Sequence, residues 1–148
     1  MKKTKKIIVL AIVAMFIVST FAVVASAASN STIPEYYYEL KDGWHDLYTI
    51  TGSAVSGSLY CEYKNGLLTA ASVRSIVNGA GNFNHVGLDL YMWAADGDRF
   101  EDYDTAASTL ELTVKSGFWD SITSTWHYGQ IYGSNAELLA YAQVFGEE

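Results

Sequence analysis

The chain has 148 residues, half of them hydrophobic, with 9 basic against 16 acidic residues and a formal net charge of −7. So acidic a surface repels nucleic acid and anionic lipid, whose binding rests on Lys and Arg neutralising phosphates, and neither is expected as a partner. An aromatic share of 14% beside a charged share of 17% belongs to a packed domain and not to a disordered acidic tail.

The first segment is an address. Lys2, Lys3, Lys5 and Lys6 form a basic start, Ile7 to Val18 is an unbroken apolar run, and Ala25-Ser26-Ala27 supplies the small residues that signal peptidase needs. Residues 1–27 are therefore predicted to be a secretory signal and 28–148 a single secreted domain beginning at Ala28. A retained anchor is the alternative, because a spanning helix needs about 20 predominantly apolar residues. The small-residue site directly after the run favours cleavage. No cysteine stands directly after Ala27, which argues against a lipoprotein, and Val144 to Glu148 offers neither an apolar tail nor a basic stop. Free secretion without membrane attachment is expected, and the lysine-rich signal points to a Gram-positive bacterium. Four of the 9 basic residues leave with the signal, so 5 remain against 16 acidic ones, a net of −11 on the mature chain. Cys61 is the only cysteine, so no intramolecular disulfide can form. It alternates with Leu59 and Tyr63 on one side of an expected strand, where a buried small hydrophobe is the plain reading.

Beyond Pro34 the chain alternates apolar and polar residues in segments separated by Gly, Asn and Asp, the pattern of successive antiparallel strands. Asp46 to Thr51 is the first. Lys64-Asn65-Gly66 then supplies a hairpin signal, since Asn-Gly provides the two positive-φ residues of a type I′ turn. Ser58 to Lys64 is expected to pair with Leu67 to Val77 across it. His85 to Ala95 presents Val86, Leu88, Leu90 and Met92 on a core face and His85, Asp89, Tyr91 and Trp93 on the other. Ala106 to Ser116 sets Leu110, Leu112 and Val114 against Thr109, Glu111, Thr113 and Lys115. Ser121 to Tyr132 places Ile122, Trp126, Tyr128 and Tyr132 on one side and Thr123, Thr125 and His127 opposite. At the C-terminus, Ser134-Asn135-Ala136-Glu137 fits a capping box, and Leu138, Tyr141, Ala142 and Phe145 fall on one helical stripe. A final strand competes there, because Leu139, Tyr141, Gln143 and Phe145 also alternate. The expected fold is all-β, an antiparallel β-sandwich of about six to seven strands with a short C-terminal helix.

Few residues offer chemistry. Asp96, Asp98, Glu101, Asp102 and Asp104 crowd one segment, and calcium takes such hard oxygen ligands. The spacing is not that of an EF-hand and Arg99 sits inside the cluster, so a solvated acidic turn competes with a calcium site. No other cofactor is expected. His45, His85 and His127 could form a zinc site only by converging from distant strands. No serine elbow of the Gly-x-Ser-x-Gly kind and no cysteine-protease signature is present, and the acids within strands stand in no recognisable glycosidase context. The remaining signal is aromatic, since solvent-facing rings are how β modules stack on sugars or anchor partner proteins. Trp119, in the Gly117-Phe118-Trp119-Asp120 turn, together with Trp93, Tyr91 and Tyr37, are the candidate binding residues. In layout, an export signal before a short chain rich in Ser, Thr, Tyr and Trp resembles small secreted bacteriocins of the lactococcin 972 type, which would imply a secreted antagonist. The leading expectation is a non-catalytic module that binds a cell-surface glycan or protein. The antagonist comes second and a small extracellular hydrolase third.

Overall fold

The computed structural model describes residues 34–43, 45–66 and 68–148. The expected signal at residues 1–27, the mature start at Ala28, Trp44 and Leu67 lie outside the described residues. Those described form nine strands: β1 (Glu35–Glu39), β2 (His45–Thr51), β3 (Val55–Lys64), β4 (Ala70–Gly81), β5 (His85–Ala94), β6 (Arg99–Ala106), β7 (Thr109–Phe118), β8 (Ile122–Tyr132) and β9 (Leu138–Glu147). One sheet has the order β1-β9-β8-β5-β6 and the other β2-β3-β4-β7. Every pairing is antiparallel except that of β1 with β9, which is parallel.

The two sheets meet along one core, because alternate residues of each strand are apolar and small enough to interdigitate. Val86, Leu88, Leu90 and Met92 of β5, Ile131 of β8 and Val144 of β9 join Ile50, Leu59, Val73 and Val77 of the four-stranded sheet, all at 1% exposure or less. Leu110, Leu112 and Val114 of β7 complete it, as their alternation predicts. Cys61 is sealed inside, and burial pushes its thiol well above the ordinary range, so it is a packing residue and not a nucleophile.

The C-terminal helix is overturned: Leu138–Glu147 is a strand, hydrogen-bonded between β1 and β8, and among the described residues no helix is present. The helical stripe loses because Ala140, Ala142 and Val144 alternate into the core while Tyr141, Gln143 and Phe145 point outward. The expected capping box is instead a hairpin turn. Gly133 N–H donates to Glu137 O at 2.9 Å, Ala136 takes φ 59°, and the Glu137 carboxylate reaches back to the Asn135 N–H at 2.8 Å. The strand count of six to seven is likewise too low, since β1 precedes the first expected strand at Asp46 and β6 lies in the supposed acidic turn.

The Asn65-Gly66 hairpin pairs the expected strands in a different register. Lys64 faces Ser72, where a two-residue turn would have faced it with Leu67. A shift of five residues is odd, so it exchanges the faces of β4, placing Val73 and Val77 inward and Ser72 outward. Core demand overrides the local turn preference. Gly66 is not among the positive-φ glycines; it is required because a Cβ there would run into the Ala70–Ala71 backbone, with Thr69 N–H closing on Gly66 O at 2.8 Å.

Candidate binding surface

The outer face of the five-stranded sheet is aromatic, and strand register is what assembles it. Tyr37 of β1 faces Phe145 of β9, Phe145 faces Trp126 of β8, Trp126 faces Tyr91 of β5, and Tyr91 faces Glu101 of β6. Four rings thus stand in one row crossing four strands. Centroids lie 5.3 Å apart for Tyr37–Phe145, 6.4 Å for Phe145–Trp126 and 5.1 Å for Trp126–Tyr91, with interplanar angles of 22°, 13° and 27°. Trp93 stacks on Tyr91 at 5.7 Å and Tyr128 on Trp126 at 5.4 Å, while Tyr141 meets Tyr128 edge-on. Near-parallel planes at such separations overlap like tiles, the offset arrangement that ring quadrupoles favour. The rings are mostly half-buried by one another, and Tyr37 at the rim is 65% exposed.

Polar groups are fixed among them. Trp126 Nε1 donates to Gln143 Oε1 at 3.1 Å, Gln130 Nε2 donates to Asp89 Oδ2 at 2.6 Å, and the Arg99 guanidinium sits 5.8 Å from the Tyr91 centroid while pairing with Glu101 at 2.9 Å. The surface therefore combines rigid apolar area with hydrogen-bonding rims. Among its tyrosines, burial raises Tyr128 to about 12, with the neighbouring hydroxyls and Asp89 adding to the shift. The Tyr128 phenol therefore stays neutral over the physiological range.

The opposite outer face has another character. On the four-stranded sheet, Glu62 takes Lys64 at 2.8 Å and Arg74 at 3.3 Å, Arg74 reaches Glu111, and Ser58, Asn78 and Thr109 are linked by hydrogen bonds. Those charges satisfy one another, and the contact with Lys64 first, then that with Arg74, holds Glu62 below the usual carboxylate range. It is a solvated face.

Three of the four aromatic candidates, Tyr37, Tyr91 and Trp93, come together on the aromatic face. Trp119 does not; it stands in the β7–β8 turn at one end of the sheets. Trp126, Tyr128 and Phe145 were placed otherwise by the sequence, the first two with Ile122 on the apolar side of their strand and Phe145 on a helical stripe. The structure reverses β8, turning Thr125 and His127 inward and the rings outward. The signal that finds Phe145 is the alternation of Leu139, Tyr141, Gln143 and Phe145.

The acidic candidates diverge. Asp96 and Asp98 lie in the β5–β6 turn, but Glu101, Asp102 and Asp104 lie on β6, where alternation sends Glu101 to the outer face and the other two to the inner. Glu101 pairs with Arg99, and Asp102 and Asp104 each accept the next residue's N–H, at 2.9 and 2.7 Å. Among the described residues no three His, Cys, Asp or Glu side chains are grouped to hold a metal ion. His85 stacks on Tyr132 at 4.8 Å, apart from His127 in the core.

His127 is the hub of a buried network. Its Nδ1 lies 2.6 Å from Ser75 Oγ and its Nε2 2.8 Å from Tyr38 Oη, which is itself 2.6 Å from Thr125 Oγ1. Ser75 in turn donates to Cys61 Sγ at 4.0 Å. The direction that satisfies every group runs from Thr125 through Tyr38 into Nε2, then from the Nδ1 proton to Ser75 and on to Cys61, with His127 neutral. A serine beside a histidine could act as nucleophile and base. With both residues at 0% exposure, substrate has no approach to either. The chain matches no protein-family model and no curated protein.

Proposed function

We propose that this protein is a secreted, non-catalytic binding module, a β-sandwich whose aromatic outer face lies against a neutral polysaccharide of a cell surface. The observation that carries the reading is the register-aligned row Tyr37, Phe145, Trp126 and Tyr91. It spans three strand spacings, about 14 Å, a length suited to several units of a linear glycan. Sugars offer C–H surfaces that pack on aromatic rings and hydroxyls that pair with groups such as Gln143 and Asp89. Because the rings are already held by one another, little side-chain entropy is lost on binding. The acidic balance of the chain favours a neutral polymer over a polyanion.

Pull-down on isolated cell walls and insoluble neutral polysaccharides tests this directly. Tyr91→Ala is expected to weaken retention at least about tenfold, the loss typical of a central aromatic contact. Lys115→Ala on the opposite sheet should leave retention unchanged. Equal retention of both variants would remove the aromatic face from consideration. Inhibition of a neighbouring bacterium's growth by the purified protein would instead favour the secreted antagonist.

A further inference from the structure

A second site stands apart from the aromatic row. At the end of the sheets where β3, β7 and β9 finish and β8 begins, a cleft of about 220 Å³ is lined by Tyr63, Asn65, Trp119, Asp120, Ser121 and Glu148, with the backbone of Gly66 beneath and Ile122 at its base. Asp42 adjoins it, its Oδ1 accepting the Asn65 N–H at 3.1 Å. Among the described residues that line it none is basic, and Asp120 and Glu148 bring two carboxyl side chains to the lining.

Trp119 is the unusual wall. Its backbone holds φ 74°, a conformation costly for so bulky a residue, and yet its side chain is 71% exposed. Core packing does not account for an indole at this position. The turn keeps it there partly through Asp120, whose carboxylate folds over Gly117 so closely that a Cβ at 117 would meet Oδ2 at 2.6 Å. Tyr63, 5% exposed, forms the inner wall, and its hydroxyl is raised above its ordinary value by burial first and then by Glu148 and Asp42.

We propose that this cleft binds an organic ammonium group, with a trimethylammonium head as the best fit. Asp120 and Glu148 supply opposite charge, and the Trp119 indole supplies a cation–π face. A bare calcium ion takes six to eight oxygen ligands, and among the described residues no three acidic side chains are grouped to hold one. A methylated ammonium sheds water readily and can rest its methyl groups on the exposed Trp119 indole. The inference does not depend on the polysaccharide reading, because none of its residues belongs to the aromatic row.

Titration of the protein with choline chloride, read by amide chemical shifts, tests it. Signals of residues 119–122, Asn65 and Gly66 should move saturably while those of Tyr91 and Trp126 stay in place. Trp119→Gly removes the indole and relieves the left-handed backbone, so it should melt no lower than the wild type and bind choline at least tenfold more weakly. Asp120→Asn combined with Glu148→Gln should show a similar loss. The proposal is overturned if no saturable shift appears, if binding survives Trp119→Gly in a folded protein, or if potassium or calcium chloride produces the same shifts.

Discussion

At the scale of single residues, His127 shows how a buried polar group ties the two sheets together. It is fully enclosed, and desolvation lowers its pKa from 6.5 to about 3. In the unfolded chain the same imidazole titrates near its ordinary value, so between these two values the unfolded state binds the extra proton. Stability must then fall as pH drops through that window, by up to about 1.4 kcal/mol per pH unit. Protonation would also place hydrogen on Nε2 and remove the acceptor that the Tyr38 hydroxyl uses. Denaturant midpoints are expected to decline from pH 6.5 to 5, where carboxylates are still ionised, and to decline less in His127→Gln. A flat wild-type profile would mean that water or a carboxylate reaches the ring. Gly66 makes a steric counterpart. Gly66→Val should destabilise the fold by about 1–3 kcal/mol through overpacking against the Ala70–Ala71 backbone, measured as a lowered denaturation midpoint with unchanged slope.

At the scale of elements, β9 distinguishes strand from helix in a way that mutation can read. Ala142 is at 0% exposure between Tyr141 and Gln143, which point outward. Ala142→Asp should therefore cost about 3 kcal/mol or more, an uncompensated buried charge, whereas Tyr141→Asp should cost less; a helical stripe would have buried both positions. Strands whose apolar residues simply alternate were legible in the sequence: β2, β3, β5 and β7 lie within a few residues of their expected bounds, with the expected faces of β5 and β7. Legibility failed where hydrophobicity and burial part company. On β8 the rings lie outside and Thr125 and His127 inside, because cross-strand stacking compensates exposed rings and hydrogen bonds compensate buried polar atoms. It failed again on β6, whose acidic sequence suits a turn. As an edge strand, β6 carries Asp102 and Asp104 in register with Leu90 and Leu88. Charges pointing inward on an edge discourage another strand from adding there. Millimolar calcium is accordingly expected to leave the melting temperature unmoved, since ligand binding would raise it; a clear rise would show that these carboxylates do converge.

At the scale of the whole molecule, the described fold is closed by joining its first strand to its last. β1 pairs in parallel with β9, and three successive tyrosines anchor it in three directions. Tyr36 reaches sheet β2-β3-β4-β7 by donating to Thr49 O at 3.2 Å, Tyr37 stacks on Phe145 in the aromatic row, and Tyr38 enters the His127 network. Residues 35–39 are thus structural, and any processing of the chain must leave them intact. The expected cleavage after Ala27 would meet this condition, since it falls ahead of Glu35. A cut beyond Tyr38 would expose His127 and Val144 and remove one end of the aromatic row. The protein recovered from culture medium is therefore expected to begin at Ala28, a result that N-terminal sequencing reads directly. Recovery of the intact chain from the membrane fraction would show a retained anchor, and recovery of a folded product starting after Glu39 would show that β1 is dispensable to the core.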